Sequence, residues 1–120
     1  MMTLDVEEDR VVVRLSGRHA IMALARQVSV PLAGIRDVRV ERDGWNVDLG
    51  WRVGGTAVPR RLAFGRFRHK GVRTFAAVYC GEPAVVVEAD GGDWHRLVVS
   101  VEDAEAAVRR VRAATATSAG

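Results

Sequence analysis

The stretch RRLAFGRFRHKGVRTFAAVY, residues 60–79, reads as two strands joined at Lys70-Gly71. Leu62 and Phe64 share one face, but past Gly65 the next aromatic, Phe67, falls on the opposite parity. A glycine at that switch predicts a bulge or barrel corner, where a strand bends and changes the residues it turns inward. Cations stand where an ordinary sheet carries mixed charge: Arg60, Arg61, Arg66, Arg68, Lys70 and Arg73. The hairpin is therefore either a grip for something anionic or a solvated rim.

Outward from the hairpin, most segments have period two or are short apolar runs between turn residues. Val11, Val13 and Leu15 alternate with Val12, Arg14 and Ser16, and Leu4 and Val6 predict an earlier strand paired with them across EEDR, residues 7–10. RHAIMALARQ, residues 18–27, breaks the rhythm; Ile21, Leu24 and Val28 stand at spacings of three and four, predicting a short helical turn. A strand resumes at IRDVRV, with Val38 and Val40 inward, and Asp43-Gly44 signals a tight turn. WNVDLGW, residues 45–51, reads as a strand: Trp45, Val47, Leu49 and Trp51 face the core, with Asn46, Asp48 and Gly50 on the other side. Gly54, Gly55 and Pro59 mark the following RVGGTAVP as a loop. Beyond the hairpin, AVVVEA and WHRLVVSV predict two strands separated by DGGD, residues 90–93.

The last segment changes period. Ser100 with Asp103 resembles a capping box, and Val101, Ala104, Val108 and Val111 form a narrow apolar stripe. Glu105 and Arg109 sit four apart on the other side, which favours a helix. Residues 115–120 read as a flexible tail after a single domain spanning 1–114. About seven short strands and one amphipathic helix predict a mainly β, α+β architecture. The expected form is a partly open antiparallel barrel, since curling hides the edges a flat sheet leaves bare and the helix can stopper one mouth.

The 120 residues carry a net charge of +3 and are 48% apolar and 28% charged, the mixture of a globular chain with one core. No apolar run approaches the ~20 residues that cross a bilayer, and the acidic N-terminus lacks the order of a secretory signal, so a cytoplasmic location is expected. Cys80 is the only cysteine, which excludes an internal disulfide. A Cys80–His95–Asp93 nucleophilic group is conceivable only if the fold gathers it. His19, His69 and His95 lie far apart, no two at metal-ligand spacing, and no phosphate-binding glycine motif occurs. The expectation is a non-enzyme without cofactor or metal.

The run VPLAGIRDVRV … GWNVDLGWRVGGTAVPRRLAFGRF … GVRTFAAVY … PAVVVEADGGDWHRLVVSVEDAEAAVRRV resembles small pleckstrin-homology-like (PH-like) domain proteins of actinobacteria, over about residues 28–112. Seventeen arginines to one lysine, with abundant Ala, Val and Gly, suit a GC-rich genome of that kind. The resemblance implies a PH-like barrel, mostly of unassigned activity, acting through protein contacts and assembly. Phosphoinositide-binding PH domains place cations in and beside the first hairpin loop, but here that loop holds Glu7, Glu8 and Asp9, which repel a phosphate headgroup. The tryptophan usual in the final helix of eukaryotic PH domains is also missing.

Between Leu49 and Gly81 there is no carboxylate, while Asp5, Glu7, Glu8 and Asp9 cluster at the other end of the chain. That polarity predicts a binding or assembly module whose partner, a protein or another copy of itself, meets the basic hairpin and an exposed sheet edge, with Trp94 as an interface aromatic. Peripheral attachment to anionic lipid through the same hairpin is the second expectation. Single-stranded nucleic acid is the third, with Phe67, Phe75 and Tyr79 as stacking platforms if they are not in the core.

Overall fold

The computed structural model describes residues 2–47, 49–90 and 92–119. The expected outward-facing Asp48, the Gly91 of the expected 90–93 turn, and the terminal Met1 and Gly120 lie outside them. Among the described residues nine strands form two sheets, against about seven strands expected. The first sheet is β1 (Met2–Glu7), β2 (Arg10–Leu15) and β3 (Gln27–Pro31), in that order and antiparallel. The second comprises β4 (Ile35–Glu41), β5 (Trp51–Val58), β6 (Leu62–His69), β7 (Val72–Tyr79), β8 (Ala84–Ala89) and β9 (Arg96–Val99), ordered β4-β8-β9-β7-β6-β5. Its β7–β9 pair is parallel, which a wholly antiparallel barrel does not contain. Neither sheet closes on itself: β1 and β3 end the small one, β4 and β5 the large one.

The middle strands of the large sheet carry short unbroken apolar runs, Phe75 to Val78, Ala84 to Val87 and Leu97 to Val99, because both their faces are buried there. Along β7, Phe75 and Ala77 enter one cluster while Ala76 and Val78 enter another. The first cluster is shared with Leu4, Val11, Val13 and Val30 of the small sheet and with the C-terminal helix. The second is covered by Trp45, Val47 and Leu49, which pack against Phe67, Val86 and Val98. Phe64 and Phe75 are both fully buried, each contributing on the order of 2–3 kcal/mol of apolar burial.

This covering segment overturns two sequence expectations at once. Of the described residues 45–50 none is in a strand, and Trp51 opens β5: Gly44–Asn46 is a single 3₁₀ turn, capped by Asp43, whose carboxylate accepts from the Trp45 N–H at 2.9 Å. Trp51 does not face the core; it is exposed. The expected loop at RVGGTAVP is instead strand β5. Its glycines are there for closeness rather than for turning. A Cβ on Gly55 would lie 2.1 Å from the Phe64 carbonyl oxygen, and one on Gly65 2.2 Å from that of Gly54. Gly65 therefore marks a tight strand crossing. Parity does not switch within β6, whose register with β7 runs unbroken, and the bulge falls on β5 between Arg52 and Gly54.

The β1–β2 hairpin, the inward Val38, and the β6–β7 hairpin turning at Lys70-Gly71 match the sequence reading. Lys70 (φ 49°) and Gly71 (φ 82°) both take positive φ, as a two-residue type I′ turn requires. The short helix α1 spans Arg18–Ala23, but Ile21 and the following Leu24 point into solvent. Helix α2 spans Ala104–Ala119, so it continues into the stretch expected as a tail. Its cap is Asp103, which accepts from the Ala106 N–H at 3.0 Å; Ser100 instead accepts from the Tyr79 N–H. Ala104, Ala107, Val108 and Val111 form its buried face. Arg110 donates to the Leu4 carbonyl on edge strand β1, and Arg112 doubly to the Val38 carbonyl on edge strand β4. The helix thereby ties one edge of each sheet and leaves β5 as the bare edge of the large sheet. No helix among the described residues is long and apolar enough to cross a membrane.

Candidate functional site

The six hairpin cations are all exposed, but they do not form one patch. Arg60 and Arg61 sit at the β5–β6 turn, where Arg61 donates its N–H to the Val58 carbonyl at 3.0 Å and Arg60 (φ 64°) takes the left-handed conformation. Seven residues of strand, roughly 23 Å, separate Arg61 from Arg68. Lys70 is at the opposite tip. Only Arg66, Arg68 and Arg73 come together.

Pairing explains how. Arg68 lies directly opposite Arg73 on β7 and opposite Trp51 on β5, so the three share one face in a row across the sheet. The row is extended by His95, whose Nδ1 accepts from the Arg73 backbone N–H at 2.9 Å and whose own N–H donates to the Arg73 carbonyl at 2.9 Å. Arg66 is two residues inward on the same face. Its guanidinium carbon stands 5.9 Å from the centroid of Trp94, a cation–π contact, and Trp94 is edge-on to Phe75 at 5.5 Å. Trp94 is thus half-buried and supports an arginine.

These three arginines line a cleft of about 470 Å³ together with Ala25, Val28, Val53, Phe67, Trp94 and the polar Gln27 and Asp93. The ion pairs among the described residues are Arg14–Glu7, Arg36–Asp90, Arg39–Asp37 and Arg39–Glu88. None involves a hairpin cation. Arg73 donates to the neutral Gly92 carbonyl at 3.3 Å. Of the large exposed apolar side chains, Val53 (62% exposed) lines the cleft and Trp51 (81%) lies opposite Arg68, while Ile21 (75%) and Leu24 (67%) line a neighbouring depression that shares Ala25 with it. Leu24 (φ 57°) caps α1 in the left-handed conformation, a strained setting for a non-glycine residue that holds its side chain beside Gly54 of β5.

Sequence reasoning found Arg66, Arg68, Arg73 and Trp94 but missed Trp51, which it assigned to the core. It also missed His19. That imidazole stacks on Phe64 at 5.5 Å, its Nε2 is 2.8 Å from the Tyr79 hydroxyl, and its Nδ1 is buried without a hydrogen-bond partner. Burial, and then the Arg18 charge, push it below the usual histidine range. Sixty residues separate His19 from Tyr79, so no local pattern announces the contact. The expected stacking platforms Phe67 and Phe75 are buried and Tyr79 is half-buried, leaving Trp51 as the open indole of this face. His95 and Asp93 lie at the Arg73 end of β7, whereas Cys80 follows its other end, roughly 20 Å away at strand rise, so the three do not form a catalytic group. No three His, Cys, Asp or Glu residues among the described ones are grouped to hold a metal ion.

In comparisons with protein-family models, with curated proteins and with solved structures, no significant match to the chain was found.

Proposed function

We propose that this chain is a non-catalytic binding or assembly module of the cytoplasm, whose binding face is the Arg66–Arg68–Arg73 cleft with Trp51 and Trp94. One observation carries the reading: three guanidinium groups share a cleft with a single described carboxylate, Asp93, and form no ion pair with a described residue, beside the exposed Trp51 and Val53. Like charges gathered on one sheet face cost stability, and an anionic partner relieves that cost. Trp and Arg are also the residues that carry most binding energy in protein interfaces. The relation to PH-like domains is part of this proposal. A mainly β chain with its final helix against two sheets supports it, while the parallel β7–β9 pair and the unclosed sheets depart from a literal PH barrel.

Anionic lipid is the second reading. It is favoured by Ile21, Leu24, Trp51 and Val53, apolar groups able to enter a headgroup region beside cations. Nucleic acid is the third reading: its expected stacking platforms Phe67 and Phe75 are buried and Tyr79 is half-buried, which leaves Trp51 as the open aromatic beside the arginines.

The test compares binding of a poly-glutamate peptide, phosphatidylglycerol vesicles and oligo-dT to three forms of the chain. Arg68→Glu/Arg73→Glu is expected to weaken poly-glutamate binding at least about tenfold, while Arg60→Glu/Arg61→Glu at the far end has little effect. Equal losses from the two variants would remove the cleft as the binding site. Binding of vesicles alone would select the lipid reading.

A further inference from the structure

Building on the cleft as the binding face, we infer that its occupant is a second copy of this chain, which inserts the acidic turn between its own β1 and β2. The turn is a two-residue tip, Glu8-Asp9, held by the Glu7–Arg10 pair of strand positions. Asp5, Glu8 and Asp9 are exposed there, and Glu8 (φ 47°) adopts the left-handed conformation of a tight, projecting turn. Glu7 is already engaged by Arg14, which holds its carboxyl below the usual range. The tip therefore offers Glu8 and Asp9 forward and Asp5 at its side.

Complementarity holds in both signs. The cleft presents three guanidinium groups that form no ion pair with a described residue, against one described carboxylate, Asp93. The turn presents its carboxylates together with one exposed cation, Arg10, which suits Asp93. Pro31, exposed and directly opposite Arg10, supplies an apolar flank for the open Trp51 indole.

A single copy does not satisfy this pairing internally. In the register of β2 with β3, Arg10 is opposite Pro31 and Arg14 opposite Gln27. Gln27 lines the cleft, so the turn lies beyond the far end of β3, about 13 Å of rigid strand away before the turn itself begins. Association must occur between molecules. The donating and receiving surfaces differ, so the contact is either reciprocal, each turn of a two-fold dimer entering the other copy's cleft, or head-to-tail, generating a ring where the rotation closes or an open chain where it does not.

Two complementary variants test this by sedimentation velocity. Arg68→Glu/Arg73→Glu disables the cleft and keeps the turn; Glu8→Lys/Asp9→Lys disables the turn and keeps the cleft. Wild type is expected to assemble with concentration and to fall apart as salt rises. Each variant alone should associate at least about tenfold more weakly. Mixed, they should form a one-to-one heterodimer that grows no further, because only one good contact remains. Far-UV circular dichroism checks folding, and Glu8→Gln/Asp9→Asn replaces the turn variant if the reversal disturbs it. A wild type that stays monomeric at every concentration and salt, undiminished association of either variant, or a mixture that fails to pair overturns the inference. A monomer that nevertheless binds poly-glutamate through the cleft overturns it while leaving the binding-face reading intact.

Discussion

The two ends of the large sheet treat arginine in opposite ways. On the β4–β8 side, Arg39 reaches Glu88 at 2.7 Å and Asp37 at 2.9 Å, and hydrogen bonding to Glu88 raises its already high pKa further. On the β5–β7 side, Arg66, Arg68 and Arg73 share a cleft with Asp93 and form no ion pair with a described residue. The difference follows the sequence: β4 and β8 carry Asp37, Glu41 and Glu88, whereas no carboxylate occurs between Leu49 and Gly81. A paired arginine ties strands together, whereas the cleft arginines stay exposed and form no ion pair with a described residue.

The comparison breaks most severely at Gly65. A side chain there meets the Gly54 carbonyl at 2.2 Å on a backbone at φ 127°, so Gly65→Ala should cost about 3 kcal/mol or more in denaturant unfolding. If the β5–β6 crossing is as close as described, the same change should deplete binding at the arginine cleft in any fraction that still folds, because Trp51 rides on β5. A substitution tolerated within about 0.5 kcal/mol would refute the crossing.

A gentler contrast replaces one charge at each end. Glu88→Ala removes Arg39's nearer carboxylate and should destabilise by about 1 kcal/mol at most, since both side chains are partly exposed. Arg68→Ala removes a charge facing Arg73 and should be neutral or slightly stabilising in the same urea titration. A larger loss from Arg68→Ala than from Glu88→Ala would reverse the assignment of the two ends.

The smallest effect is a pH slope from His19. Its folded-state pKa is depressed by burial, so below the ordinary imidazole value of ~6.5 the unfolded chain takes up a proton that the native ring resists. Stability is therefore expected to fall as pH drops through ~6.5 towards the depressed value, and to be insensitive to His19 above it. Thermal melts across that window should show the slope in wild type and a flatter profile in His19→Gln. Parallel profiles would show that the ring is not held neutral.

Much of the scaffold was readable because its signals are local. The alternation of Val11, Val13 and Leu15, the Lys70-Gly71 turn and the stripe ending in Val111 each depend on neighbours a few residues away. The candidate site was half legible. Charge without carboxylates singled out the hairpin, but nothing in the string separates Arg60 and Arg61 from Arg66 and Arg68. Segment 45–51 was misread since its alternation mimics a strand although it crosses a sheet face. Segment 51–58 was misread since glycine at a close crossing looks the same in sequence as glycine in a turn.

The chain alone determined a mainly β domain with a closing helix, a basic centre and an acidic beginning, all consequences of periodicity and composition. The parallel β7–β9 pair, the burial of both faces of the large sheet, the arginines that find carboxylates and those that do not, and the His19–Tyr79 contact were decided by the tertiary structure. Each of these joins residues tens of positions apart, where the free energy lies in packing and charge contacts that exist only once the sheets have assembled.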